Sequence, residues 1–187
     1  MVVDNNKHCR IQKRKKNNKI PYGSLSLQGL SEEERDTKAD DRNDHHEDAI
    51  CIFSDNVFQW EDSGLKIETP ENASNIRKWQ YLGHPIGMPL AESLSSQFLI
   101  TFGCGQSRHV YTAKEIINEA FERIVRICVK YHKNTIYYLM DHLNSKFDTG
   151  IFDGPVGADI IYHITSKIKT LPRIVRLARR LSALRAQ

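Results

Sequence analysis

Between Tyr111 and His132 apolar residues recur at every third or fourth position: Ile117, Ala120, Phe121, Ile124, Cys128 and Tyr131. That spacing puts them on one face of a helix. Ile116, Val125, Ile127 and Val129 widen the arc, which predicts a helix packed into a core. Thr112 and Glu115 have the spacing of a capping box, and Tyr111 and Ile116 that of a hydrophobic staple. Glu119–Arg123 and Glu122–Arg126 are i,i+4 pairs on the polar side.

Upstream the period shortens. Ala49–Phe53 is a short apolar run, Val57–Trp60 follows a Ser-Asp-Asn turn, and Leu65–Thr69 alternates after Asp62-Ser63-Gly64. Tight turns between short apolar runs predict a three-stranded antiparallel meander. Ile76–Leu82 fits a strand or a short helix. Residues 83–89, GHPIGMP, have loop composition, and 97–102, QFLITF, is the clearest strand pattern, with 108–111 able to pair back on it. Downstream, Thr135–Leu143 fits a second helix or a buried strand, and 144–157 a long Gly-containing loop. Ile160, Ile161, Ile164 and Ile168 predict a helix over 158–169 with Asp159 as N-cap. Pro172 is expected to end that helix and open a last one over 173–186. The fold class expected is therefore α+β: a small antiparallel sheet on a central helix, C-terminal helices, and a disordered N-terminal region. The expected organisation is a tail over 1–48, a globular domain over 49–170 and a basic amphipathic helix over 171–187.

Charge sharpens this division. The net charge of +4 over 187 residues conceals a plus, minus, mixed, plus order. Residues 1–20 carry seven Lys/Arg against Asp4; residues 31–48 carry nine Asp/Glu against three Lys/Arg; the 23 residues from Thr165 carry seven Lys/Arg and no acid. The arm around Lys13, Arg14, Lys15, Lys16 and Lys19 is too polar to fold alone and suits phosphate, in nucleic acid or in lipid headgroups. In the last helix, Ile174, Leu177, Ala178, Leu181 and Leu184 share an arc, and Arg173, Arg176, Arg179 and Arg180 lie opposite. Such a helix lies in a membrane interface, fills a partner's groove, tracks phosphates, or packs on its own core.

Catalytic signals are weak. Cys9, Cys51, Cys104 and Cys128 are scattered, which argues for a reducing compartment and against a zinc ribbon or disulfide framework. Cys104 between Gly103 and Gly105, with His109 or His132, is a poor nucleophile pair without an oriented base. His45-His46 in an acidic run is a poor metal set. Gly150–Gly157 has the wrong spacing for a dinucleotide loop. A secretory signal and a membrane span are not expected. The pattern predicts a non-enzymatic protein with no cofactor and no metal.

The order of parts resembles that of rhabdovirus-type matrix proteins of negative-strand RNA viruses. The residues carrying the likeness are the arm Lys13–Lys19, Pro21-Tyr22, the acidic stretch, and the strand QFLITF followed by the helix TAKEIINEAF. A P-P-x-Y budding motif is absent from the Pro21-Tyr22 segment. The resemblance implies a structural protein that self-associates and bridges viral ribonucleoprotein or RNA to an anionic membrane. It would lie beneath the virion envelope and in the host cytoplasm. The arm lysines with Arg14, and Arg173, Arg176, Arg179 and Arg180, would make the phosphate, lipid or RNA contacts. The alternative is a nucleic-acid-binding module with basic tails, located in the nucleus.

Overall fold

The computed structural model describes residues 24–40, 47–56, 83–90, 94–102, 109–141, 143–148 and 156–185. Its main sheet contains β1 (Ser26–Leu30), β2 (Ala49–Asn56), β3 (His84–Leu90) and β6 (Thr135–Asp141) in the order β1-β6-β2-β3. All three pairings in that path are parallel. A short β7 (Lys146–Phe147) runs antiparallel to the end of β6. A separate ribbon pairs β4 (Leu99–Phe102) with β5 (His109–Thr112) and leads into the central helix.

The described main sheet is thus mostly parallel where a small antiparallel sheet is expected from the sequence, so the described fold is mixed α/β. The cause is visible in β2. Ile50 and Ile52 enter the main core cluster, while Ala49, Cys51 and Phe53 enter a second cluster with Leu30, Tyr137 and Leu139. A strand buried on both faces reads as a continuous apolar run, the mark of a parallel sheet. Val57–Trp60 and Leu65–Thr69 lie outside the described residues. Residues 84–90 form a strand rather than a loop. Pro85 and Pro89 are separated by an even step, so their missing N–H groups address the same side. β3 has a described neighbour only toward β2, and proline is tolerated on an edge. Ile86, Met88 and Leu90 then supply the buried face.

Among the described residues three helices flank the sheet. α1 (Glu32–Asp40) opens on a capping box in which Ser31 N–H donates to Glu34 Oε2 at 2.8 Å and Glu34 N–H donates to Ser31 Oγ at 3.2 Å. It lies on the Tyr137 face, with Lys38 Nζ 5.6 Å from that ring's centre. Residues 26–30, expected as a linker, thus form a strand, and the S-x-x-E of Ser31 and Glu34, which allows a frayed helix at the start of the acidic segment, opens α1. α2 (Ala113–Lys130) is the predicted core helix, with the capping box of Thr112 and Glu115 in place. α3 (Ala158–Arg185) covers the same face as α2. It is one helix of 28 residues with Pro172 inside, not two helices. Ile168, Leu171 and Val175 keep the buried phase across the proline, and that packing offsets the roughly 3 kcal/mol an interior proline costs.

β6 is the keystone strand, so its core side chain is sensitive. Ile136→Ala is expected to lower unfolding free energy by about 2–5 kcal/mol. Leu177→Ala, at an exposed site, should stay within about 0.5 kcal/mol. Urea denaturation of both variants checks the contrast.

Candidate functional site

α3 carries three stripes. Ile160, Ile164, Ile168, Leu171, Val175 and Arg179 are buried. Ile174, Leu177, Leu181 and Leu184 form a second row, 40, 47, 57 and 66 % exposed. Arg173, Arg176 and Arg180 are exposed beyond that row. Lys167 and Arg185 fall near its other flank, because residues 3.6 apart complete one turn. The apolar arc of the last helix is thus exposed and not packed on the chain's own core.

Arg179 departs from its expected role. It is 6 % exposed and reaches the C-terminal end of α2. Its guanidinium donates to the Cys128 carbonyl at 3.2 Å, to Asn134 Oδ1 at 3.3 Å, and to the Lys133 carbonyl. α2 ends there with Tyr131 as C-cap and His132 at φ 53°, a left-handed stop. A cation at this end meets the negative pole of the helix and its unpaired carbonyls. Arg179 is thus corrected from a surface phosphate ligand to a clamp between α3 and α2. The basic arm Lys13–Lys19 lies outside the described residues, as do Cys104 and His45-His46. Arg173, Arg176 and Arg180 remain open to solvent.

α2 and α3 run in the same direction, since Asn118 meets His163 near their starts and Cys128 meets Arg179 near the end of α2. Between them lies an open groove of about 430 Å³. Phe121, Val125, Leu171 and Ile174 supply its apolar surface, with Arg126 and Lys167 on opposite walls. His163 Nε2 lies 3.0 Å from Asn118 Oδ1 at one end. Burial, then the charges of Lys167 and Lys114, hold the His163 pKa below its ordinary value. Ile174 belongs both to the groove and to the exposed row, so the two apolar surfaces join.

A second region is the carboxyl edge of the parallel strands. β1 feeds α1 on one face and β6 leads to α3 on the other, so the switch in direction falls between adjacent strands. Open parallel sheets take ligands outside such points. The α3 start is fixed there by Gly157 N–H donating to the Leu94 carbonyl at 2.8 Å and Ser96 N–H donating to Asp159 Oδ2 at 2.9 Å. Ser54, near the end of β2, is buried, and its hydroxyl has no hydrogen-bond partner among the described residues.

Buried thiols offer no ready nucleophile among the described residues. Burial pushes the Cys128 thiol up to about 12, against the opposing charges of Arg179 and Lys133, and also pushes Cys51 upward. Among the described residues no cluster of three or more His, Cys, Asp or Glu could hold a metal, and no helix is long and apolar enough to cross a membrane. No family model, curated protein or solved structure matches the chain.

The sequence missed the Arg179 clamp because the last helix was phased from Arg173 alone. Extending the Ile160–Ile164–Ile168 phase through Leu171 and Val175 arrives at residue 179. Arg179→Met should cost about 2–4 kcal/mol in urea denaturation, because it strands buried carbonyls. Arg180→Met should cost less than about 0.5 kcal/mol.

His84 and His163 both have folded pKa values below the ordinary 6.5, each chiefly through burial. The unfolded chain therefore takes up protons first as pH falls. Their contribution to stability is complete above 6.5 and is lost below it. The urea midpoint should fall between about pH 7.5 and 5.5, with a shallower fall in His163→Gln. An equal slope in that variant would remove His163 from the account.

Proposed function

We propose that the protein is a non-enzymatic, matrix-like structural protein that docks on anionic membrane surfaces through α3. In this proposal it self-associates and contacts ribonucleoprotein through its basic arm. The observation that carries the proposal is the free row Ile174–Leu177–Leu181–Leu184 beside Arg173, Arg176 and Arg180. An interfacial helix needs both: apolar side chains to enter the acyl boundary and cations to meet anionic headgroups. The lack of any acid from Thr165 onward supports the same surface. The rhabdovirus matrix resemblance supplies the setting, beneath an envelope and in the host cytoplasm. The parallel sheet lends that resemblance no support.

A second reading, favoured by the parallel sheet and the unpartnered Ser54 hydroxyl, is a small-ligand domain that binds at the carboxyl edge. It would require no membrane at all.

Co-sedimentation of the full chain with phosphatidylserine-containing and neutral vesicles, with and without RNA, tests the proposal. Anionic vesicles should bind. Replacing Leu177, Leu181 and Leu184 by Ser should weaken binding by at least about 100-fold, since even about 1 kcal/mol from each partly inserted Leu, below the roughly 1.5–3 kcal/mol of full transfer, sums to that factor. Replacing Arg173, Arg176 and Arg180 by Gln should weaken it by a similar factor at low salt, at about 1 kcal/mol per cation. Binding to RNA alone, with a steep salt dependence, would instead support the nucleic-acid-binding module and its nuclear location. Binding to neither would leave the carboxyl-edge reading.

A further inference from the structure

We propose that the groove between α2 and α3 binds a single alkyl chain bearing an anionic head group. The groove volume of about 430 Å³ lies within the range of small-ligand sites. At about 30 Å³ per methylene, close to the volume share of a liquid water, it accommodates roughly a dozen carbons. Phe121 and Leu171 are buried at its apolar surface, and Val125 and Ile174 extend that surface toward solvent.

The charge pattern selects the head group. Lys167 and Arg126 stand on opposite walls, and among the described residues neither is held in an ion pair. Glu122 is the single acid among the described lining residues, so cations outnumber it there. Lys114 adds a second cation at the Lys167 end, where both act on His163. The head group therefore belongs at the Lys114–Lys167 end, at the mouth, where it stays hydrated and avoids the cost of burying a charge. The tail then runs along Phe121, Val125 and Leu171 toward Ile174. A neutral head group would gain nothing from the two lysines.

The site extends beyond membrane docking and does not depend on it. Calorimetric titration of the full chain with dodecyl phosphate, and with the neutral dodecyl maltoside, each below its micelle concentration, tests it. One equivalent of dodecyl phosphate should bind, with the neutral probe much weaker. The pair Lys114→Gln and Lys167→Gln should weaken dodecyl phosphate by about tenfold or more. Val125→Trp should fill the groove and abolish binding, while Leu181→Ser with Leu184→Ser should leave it unchanged. Should Val125→Trp fail to fold, the lysine pair, whose side chains lie outside the core, still decides. Uptake of many equivalents, equal affinity for the neutral probe, or loss in the Leu181/Leu184 variant would overturn the site. The last result would mean that the alkyl chain merely coats the exposed row. Vesicle binding can fail while this titration succeeds, and the reverse, so the two proposals fall separately.

Discussion

Parallel pairing of β6 between β1 and β2 is the constraint on which the rest of the fold depends. Parallel strands cannot be joined by a tight hairpin; each return needs a crossover, and both faces of the sheet need cover. α1 covers the Tyr137 face, while α2 and α3 cover the Ile136 face. The lengths do not match. At about 1.5 Å per residue the 28-residue α3 spans about 42 Å. The longest strand among the described residues, β2 with 8 residues, spans about 26 Å at 3.3 Å per residue. A helix that long outruns the sheet it covers, and its excess has no core of its own to enter.

Arg179 marks where the covered part of α3 ends. It is the last buried residue of the helix, and it is charged because it meets carbonyls at the end of α2 and not a hydrocarbon surface. The same contact ties α3 to the turn at Lys133 and Asn134, just before β6 begins. Asn134 N–H in turn donates to the Asp48 carbonyl at 2.7 Å, ahead of β2. One side chain thus joins two helices close to the start of the two central strands. Lys133 Nζ donates to the Glu47 carbonyl beside it, which closes the same corner.

Much of this was legible in the residues, but unevenly. α2 could be read whole, cap and face included, because an amphipathic helix with a capping box satisfies local and tertiary demands with the same residues. The ribbon of β4 and β5 was legible for a similar reason. Strand direction was not, since turns inferred from Ser, Asp and Gly say nothing about what pairs across long separations. The available clue was Ala49–Phe53 itself, five apolar residues with no polar alternation, which denotes burial on both faces. β3 was hidden by its two prolines, whose composition signals a loop until its place at the edge of the described sheet is known. Pro172 misled in the opposite sense, since the strong Ile and Leu phase on either side overrode it. For the candidate site, the apolar and basic stripes of α3 were both visible, but which stripe faced the core was not. Four exposed and two buried positions cannot be sorted when the helix is divided at 172.

The free stripe is what separates α3 from an ordinary terminal helix. A helix that only covers a sheet needs one apolar face, and α3 has that face in Ile160 through Val175. Ile174, Leu177, Leu181 and Leu184 are additional to it, and they continue one after another along the exposed side without an acid among them. Single exposed leucines need no explanation, but an unbroken row of four is the kind of patch that marks an interaction surface. Its neighbours narrow the choice of partner. Arginine along one flank and Lys167 and Arg185 near the other would repel a second copy laid face to face, and would welcome a surface that is apolar within and anionic at its boundary. The groove beside Ile174 has the same two properties on a smaller scale, an apolar floor and cations at its ends. Both surfaces set apolar side chains beside cations, and they meet at Ile174.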